Sequence, residues 1–283
     1  MASADELVAM GFERAQVEHA IQSCGGNADL AVEYLLNGGG CGVHESGISG
    51  SLVVGPISQY SVENGRSACT CISLAGATLF LNDPSSVTPA FLQQMVLNGV
   101  SAYQQLSPST NNVEHVSAEE VIAQNLPAFP LQLLPDGIRQ GVLSSNRQHP
   151  LGLGAMLQGC HERSPENQWT AVLITKVPET IVICLPPSSS SGQFWLIDSH
   201  PRPQLPAESA YAKSHSTIED LVQTLQVIFP VTDLGPDIPE MMTMMYNSFD
   251  LYLLVLRENG RPHTMTMPLD WNNIRANESA NVE

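Results

Sequence analysis

Two short segments, far apart in the chain, contain the residue types that thiol chemistry requires. Cys69 and Cys71 open an apolar stretch predicted to be a helix, directly after a polar Asn-Gly-Arg-Ser turn, and Asp198 and His200 end an apolar, strand-like run. Unpaired N–H groups and the helix dipole stabilise a thiolate in the first turn of a helix. An Asp-x-His at a strand end places carboxylate and imidazole on one face, because strand side chains alternate. The sequence therefore supplies a nucleophile, a base and an orienting acid.

The two cysteines compete for the role of nucleophile. Two residues apart on a helix, they point about 200° away from each other, so only one can face a fixed imidazole. Cys69 lies nearer the N-terminus, where the dipole acts most strongly and solvent can reach it. Cys71 lies among apolar residues, which is typical of a buried small hydrophobe. We favour Cys69, with Cys71 as the alternative nucleophile and two core cysteines as the structural alternative.

The remaining roles follow from residue chemistry. His200 would accept the thiol proton, and Asp198 would fix the imidazole tautomer and stabilise its charged form. Gln59 lies ten residues before Cys69, close enough for its amide to donate to an oxyanion in the same pocket. Taken singly, the histidine is as readily structural and the glutamine as readily a surface residue; their combination favours catalysis. Such a mechanism requires neither a metal nor an organic cofactor.

Composition and charge argue against several functional classes. The 283 residues can bury one large core and a small extra domain. A formal charge of −17 argues against nucleic-acid binding, which needs clustered Lys and Arg. The six cysteines follow no disulfide-framework spacing, and we find neither a signal peptide nor a membrane-length apolar run. We therefore expect a reducing compartment, cytoplasmic and/or nuclear, and no membrane partner.

Residues 1–38 are predicted to form a bundle of three short helices. Gly11 stops the first helix, Gly25-Gly26 closes the second, and Asn27 can cap the third. A bundle of this size has little core, so several apolar side chains must remain on its surface. The exposed candidates are Met10, Phe12 and Leu36.

This segment resembles a ubiquitin-associated (UBA) domain. The resemblance depends on Met10-Gly11-Phe12, on the Gly25-Gly26-Asn27 turn and on the closing Leu35-Leu36. In that family the Met-Gly-Phe loop and the end of the third helix bind the apolar patch of ubiquitin. The resemblance implies ubiquitin binding through Met10, Gly11, Phe12, Leu35 and Leu36. A helical bundle that packs only on its own neighbour is the alternative.

The rest of the chain is predicted to comprise a linker, a larger body and a tail. Residues 39–51 form a Gly- and Ser-rich flexible linker, in which Cys41 and His44 are spaced like zinc ligands. Without two further ligands nearby, we predict no metal site there. Residues 52–257 are predicted to be α+β, with helices first and an antiparallel sheet after them. Residues 258–283 are polar and Asn-rich, typical of a loose tail.

Local patterns also predict individual elements of the body. Helices are predicted over residues 70–81, 89–105, 117–123 and 216–229. Strands are predicted over residues 169–176, 180–185, 193–198 and 248–256, the first two as a hairpin around a Val-Pro-Glu turn.

The body resembles the herpesvirus tegument-type deubiquitinases and their cellular and bacterial relatives, a group of papain-like cysteine proteases. Those proteins have an upstream Gln, a Cys that opens a long apolar helix after a Gly-containing turn, and a strand-borne Asp-x-His. The matching positions are Gln59, Cys69, Asp198 and His200. The resemblance covers roughly residues 56–256, although residues 84–159 contain no family motif. It implies a papain-like fold and cleavage of isopeptide or peptide bonds after the C-terminal glycine of ubiquitin.

The two resemblances imply one substrate. A ubiquitin-binding module on a flexible linker raises the concentration of ubiquitin chains at the body, to the order of millimolar. The sequence thus predicts a deubiquitinase whose partners are ubiquitin and polyubiquitin chains. Two alternatives stay open: an inactive ubiquitin-binding adaptor, and a protease for a ubiquitin-like modifier.

Overall fold

The computed structural model describes residues 14, 17, 50–106 and 115–257. The chain divides into two compact units, Met1–Ile48 and Ser49–Glu283. Arg14 and Val17 are both helical, as expected for the second predicted helix. The rest of the predicted three-helix bundle, with its five ubiquitin-binding candidates, lies outside the described residues, and so do nearly all of the linker and the tail. The predicted boundaries of these segments stay predictions.

The described part of the larger unit contains six helices and seven strands. The helices are α1 (Cys69–Asn82), α2 (Pro89–Leu106), α3 (Ala118–Ala123), α4 (Leu153–Arg163), α5 (Ile218–Ile228) and α6 (Glu240–Tyr246). The strands are β1 (Leu52–Val54), β2 (Leu131–Val142), β3 (Thr170–Lys176), β4 (Glu179–Leu185), β5 (Phe194–Asp198), β6 (Tyr211–His215) and β7 (Ser248–Leu256). This mixture of helices with an antiparallel sheet confirms the α+β class. None of the described helices is long and apolar enough to cross a membrane.

All seven strands form one antiparallel sheet in the order β1-β6-β5-β4-β3-β7-β2. Its central strands β3, β4 and β5 are mostly apolar, as expected where helices cover both faces of a sheet. Leu173 packs in a cluster with α1, α2 and α3, whereas its neighbours Val172 and Ile174 pack in a second cluster with α4 and α5. The sheet is therefore the middle of three layers, and neither face of its central strands is open to water.

The predicted elements agree with the structure to within two residues at every end, and the β3–β4 hairpin turns at Val177-Pro178 as expected. The order of elements differs in part: α1, α2 and α3 precede most of the strands as expected, but α4, α5 and α6 lie between strands in the chain. Strands β1 and β6 and helices α4 and α6 were not predicted, and neither was strand β2. It contains Pro135-Asp136-Gly137, and its pairing with β7 is irregular between Leu133 and Ile138. Proline and glycine inside a strand remove the alternation by which strands are recognised.

Helix α1 is buried along most of its length between α2 and the sheet. Its close approach to α2 depends on Gly99, where an added Cβ would lie 2.3 Å from the Cα of Ile72. Two polar contacts fix the start of α1 against the start of β4. The Thr70 and Thr180 hydroxyls lie 3.2 Å apart, and the Ser73 hydroxyl donates to the Thr180 carbonyl at 2.9 Å. The first turn of α1 thus has a fixed position relative to the sheet.

Candidate active site

All four residues predicted to carry out chemistry lie together at one end of the sheet. Cys69 is the first residue of α1, Asp198 is the last residue of β5, and His200 follows two residues later. The Cys69 thiol is close enough to the His200 ring for a side-chain hydrogen bond that raises the pKa of the imidazole. Gln59 lies in a 3₁₀ turn that precedes α1. Each of the four is at most 3% exposed, so the expectation that solvent reaches Cys69 is wrong for this structure: neighbouring side chains and the β3–β4 turn cover it.

Asp198 fixes the orientation of the His200 ring. The Oδ1 atom of Asp198 lies 2.6 Å from Nδ1 of His200 and also accepts the His200 backbone N–H at 2.9 Å. Because Nδ1 is hydrogen-bonded to the Asp198 carboxylate, Nε2 is the ring nitrogen that is available to the Cys69 thiol. Burial alone would lower the pKa of His200, but the charge and hydrogen bond of Asp198 outweigh it and raise the pKa to about 10. The imidazolium is therefore the favoured form at neutral pH.

Arg202 stabilises the ionised form of Asp198, a role that no sequence pattern predicted. Its Nε lies 2.8 Å from Oδ2 of Asp198, and its second guanidinium nitrogen lies 2.7 Å from Oε2 of Glu179. Burial would raise the pKa of Asp198, but His200 and then Arg202 outweigh this effect and the pKa is lowered. A row of alternating charges thus runs from the start of β4 to the imidazole.

Arg202 follows Asp198 by four residues, so an arginine just beyond the Asp-x-His was a visible signal. The Glu179 contact was not visible, because it depends on how β4 pairs with β5. Buried carboxylates are retained where a cation and hydrogen bonds compensate for their desolvation.

Cys71 has the properties of a core residue. It is fully buried in the cluster shared by α1 and the sheet, and burial, followed by the charge of Cys69, raises its pKa to about 12. Burial also raises the pKa of Cys160, to about 11, and that of Cys184. Thiols with such pKa values supply almost no thiolate at neutral pH. These shifts favour Cys69 over Cys71 as the nucleophile.

Gln59 is held next to the start of α1. The Ser199 hydroxyl donates to Oε1 of Gln59 at 2.7 Å, and the Gln59 backbone N–H donates to the Ser199 carbonyl at 3.2 Å. The Gln59 side-chain amide donates to the Arg66 carbonyl at 3.3 Å, three residues before Cys69. Gly65 makes this packing possible, since an added Cβ would lie 2.1 Å from the Gln59 carbonyl oxygen. The donor end of the amide therefore faces the loop that leads into α1.

Two exposed features cover the buried thiol and imidazole. The Cys69 sulfur donates to the Pro178 carbonyl at 3.6 Å, so the β3–β4 turn lies over it. The Tyr60 ring meets the His200 ring edge-on at 6.1 Å between centroids, and Tyr60 itself is half exposed. A substrate can reach the sulfur only if the turn or Tyr60 moves aside. Among the described residues, no group of three His, Cys, Asp or Glu side chains is arranged to hold a metal.

Arg202→Met is expected to lower kcat/KM about 10- to 100-fold, since a charged hydrogen bond to Asp198 contributes roughly 1.5–3 kcal/mol. Loss of the guanidinium raises the pKa of Asp198 and weakens the orientation of His200. The measurement is a pH profile of kcat/KM with the substrate of the function proposed below. The profile should shift, and Arg202→Lys should restore part of the activity. The control is the exposed Arg147→Met. If kcat/KM fell by the same factor at every pH, in parallel with a loss of thermal stability, Arg202 would have a structural role only.

Two of the comparisons with known proteins found matches. Residues 2–35 match the model of the UBA/TS-N domain. The fold is similar to the crystal structure of the ubiquitin-specific protease encoded by a murine cytomegalovirus tegument protein, in complex with a ubiquitin-based suicide substrate. That similarity has a TM-score of 0.48 at 12% sequence identity and covers 80% of this chain and 93% of the viral chain. No curated protein matches the sequence. The predicted UBA resemblance is confirmed: the chain has a UBA domain at its N-terminus.

Proposed function

We propose that the protein is a deubiquitinase that hydrolyses the bond after the C-terminal glycine of ubiquitin. The observation that carries this proposal is the buried Cys69–His200–Asp198 arrangement at the start of α1, with the Gln59 amide beside it. The UBA match supports ubiquitin as the substrate, because UBA domains bind ubiquitin. We further propose that residues 39–51 act as a flexible tether between the UBA domain and the body.

The chemistry proceeds through a thioester. The Cys69 thiolate attacks the carbonyl carbon of the last glycine, and the backbone N–H of Cys69 and the Gln59 amide donate to the resulting oxyanion. His200 gives its proton to the departing lysine amine as the C–N bond breaks. Neutral His200 then accepts a proton from water, which attacks the thioester. The products are a ubiquitin carboxylate, a free amine and the regenerated thiol.

The depth of the site favours a tail with little side-chain bulk. Cys69 and His200 lie beneath the Pro178 turn and Tyr60, and nearly no surface of either residue is exposed. The two glycines that end ubiquitin present no side chain beside the scissile bond. Such a tail needs only a narrow opening between the turn and Tyr60, whereas most peptide segments would require a wide one.

An electrophilic ubiquitin probe tests this function on the full chain. A covalent adduct with wild-type protein, together with turnover of a fluorogenic ubiquitin substrate, is the expected result. A folded protein that binds ubiquitin chains and gives neither signal would be an adaptor. An adduct formed only with the probe of another modifier would indicate a protease for a ubiquitin-like protein.

Met10→Ala combined with Phe12→Ala is expected to weaken the binding of ubiquitin chains at least about tenfold. The reason is that a few exposed apolar side chains contribute most of the binding free energy of a small interface. Turnover of a substrate with a single ubiquitin should stay within about twofold, since the body alone provides the chemistry. Pull-down on immobilised chains and a kinetic assay measure the two effects. The control is Gln16→Ala with Gln22→Ala, outside the predicted contact. A collapse of single-ubiquitin turnover would place residues 1–38 within the catalytic fold.

A further inference from the structure

Helix α6 is an exposed apolar helix. None of the seven residues of Glu240–Tyr246 is buried. Its large apolar side chains have exposed fractions of 71% for Met241, 54% for Met242, 39% for Met244, 69% for Met245 and 54% for Tyr246. Met241 and Met245 are adjacent on the helix surface, and so are Met242 and Tyr246, because residues four apart are neighbours. Clustered exposed apolar side chains of this kind mark interaction sites, and flexible methionines suit them to a protein surface.

The β3–β4 turn extends this apolar area. Val177 is 76% exposed, and together with Met245 and Tyr246 it lines an open cavity of about 300 Å³. Lys176 holds the two elements together, since its Nζ donates to the Tyr246 carbonyl at 2.5 Å and lies 5.0 Å from the centre of the Tyr246 ring. We call Val177, Met241, Met242, Met245 and Tyr246 the methionine surface.

The methionine surface lies next to the candidate active site. Val177 belongs to it, and the next residue, Pro178, contacts the Cys69 sulfur through its carbonyl. An extended chain advances about 3.3–3.6 Å per residue, so a tail of a few residues suffices to pass from this surface over the turn to the sulfur. A protein with its C-terminal tail at Cys69 can therefore place its folded body on the methionine surface.

Charge narrows the choice of partner. Residues 214–256 contain no Lys or Arg. Asp233, Asp237 and Glu240 lead into or begin α6, and Asp250 lines the cavity beside Met245. The cation at this cavity, Lys176, is engaged by Tyr246. An apolar area with carboxylates around it is complementary to an apolar patch that has basic residues beside it.

We propose that the methionine surface binds the apolar patch, and the basic residues beside it, of the ubiquitin whose tail enters at Cys69. This inference rests on the proposed function and adds the docking site of the ubiquitin body. It separates two tasks within the body: the methionine surface provides affinity for folded ubiquitin, and the buried residues beneath the turn provide chemistry. Binding energy there should appear mainly in KM, because it is made equally in the ground state and the transition state.

The test is Met241→Ser with Met245→Ser, made in the Met10→Ala, Phe12→Ala background so that the UBA domain does not contribute. KM for the fluorogenic ubiquitin substrate should rise at least about tenfold with kcat within about threefold. Labelling of Cys69 by a short electrophilic peptide that ends in two glycines should not change, because the peptide lacks a folded body. The matched control is Leu97→Ser with Val227→Ser, two exposed apolar residues on α2 and α5.

Several outcomes would overturn this inference. An unchanged KM would show that ubiquitin does not use the methionine surface, and an equal effect of the control pair would show that the loss is not specific to it. Loss of peptide labelling would indicate a distorted active site, and a change in oligomeric state with constant KM would assign the surface to self-association. These results differ from failure of the proposed function, in which wild-type protein would process no ubiquitin at all.

Discussion

Cys69→Ala is expected to abolish the covalent ubiquitin adduct and to lower turnover by at least about a thousandfold, whereas Cys71→Ala should retain both. Of the two thiols, that of Cys69 is the one that hydrogen-bonds to His200, so under the proposed mechanism its removal leaves no nucleophile for the acyl carbon. Cys71 is a core thiol whose pKa is raised to about 12, and its sulfur contributes packing, not chemistry. The measurement is mass spectrometry of the adduct together with initial rates.

Cys71→Ala also removes a buried sulfur, so its stability must be compared with wild type. A cost of about 1–2 kcal/mol is expected for a small buried side chain truncated to alanine. Labelling is therefore measured at a temperature well below the midpoint of thermal unfolding of each variant. A folded Cys71→Ala protein that forms no adduct, beside a Cys69→Ala protein that still does, would reverse the assignment of the nucleophile.

His200→Gln is expected to lower kcat about 100- to 10,000-fold, the usual range for loss of a general acid–base group. Glutamine approximates the size of the imidazole and keeps polar contact with Asp198, but it cannot carry a proton between the thiol and the leaving amine. The exposed His115→Gln is the matched control and should retain wild-type turnover. A His200→Gln protein with more than about a tenth of wild-type activity would remove His200 from the mechanism.

The same variant provides a stability test with a defined sign. His200 has a folded-state pKa of about 10, above its ordinary value of 6.5. Its contribution is therefore complete below pH 6.5 and is lost as the pH rises towards 10, because the unfolded chain releases this proton first. In wild type, the free energy of unfolding should decline between pH 6.5 and 10 as folded His200 loses its proton. In His200→Gln this contribution to the decline should be absent. Chemical denaturation followed by tryptophan fluorescence measures this difference.

The elements that could be predicted are those whose signals are local. Helix α1 is largely apolar, strand β5 is apolar up to its terminal Asp198, and the two strands around Val177-Pro178 are rich in β-branched residues. Cys69, Asp198 and His200 lie at or just beyond such element ends, whereas Gln59 lies in a separate 3₁₀ turn. The positions of the first three at the ends of elements could therefore be predicted from short stretches of sequence, and their catalytic roles stay predictions.

Other features depend on contacts between distant segments. The Glu179–Arg202 pair exists because β4 and β5 run antiparallel, which brings the start of β4 next to the loop that follows β5. Neither residue has a local pattern that indicates the other. Helix α6 was not predicted because it packs no face into a core, and periodic apolar residues report a buried face. The feature used for the docking proposal was thus invisible to the usual sequence signals.

The position of the Pro178 carbonyl over the sulfur has a consequence for chemical durability. Peroxide and similar oxidants attack thiolates that are accessible to solvent. In this structure Cys69 is only 1% exposed, beneath the turn and beside His200. The Cys69 thiol is therefore expected to resist conversion to sulfenic acid by peroxide, although thiols of ordinary accessibility are oxidised readily.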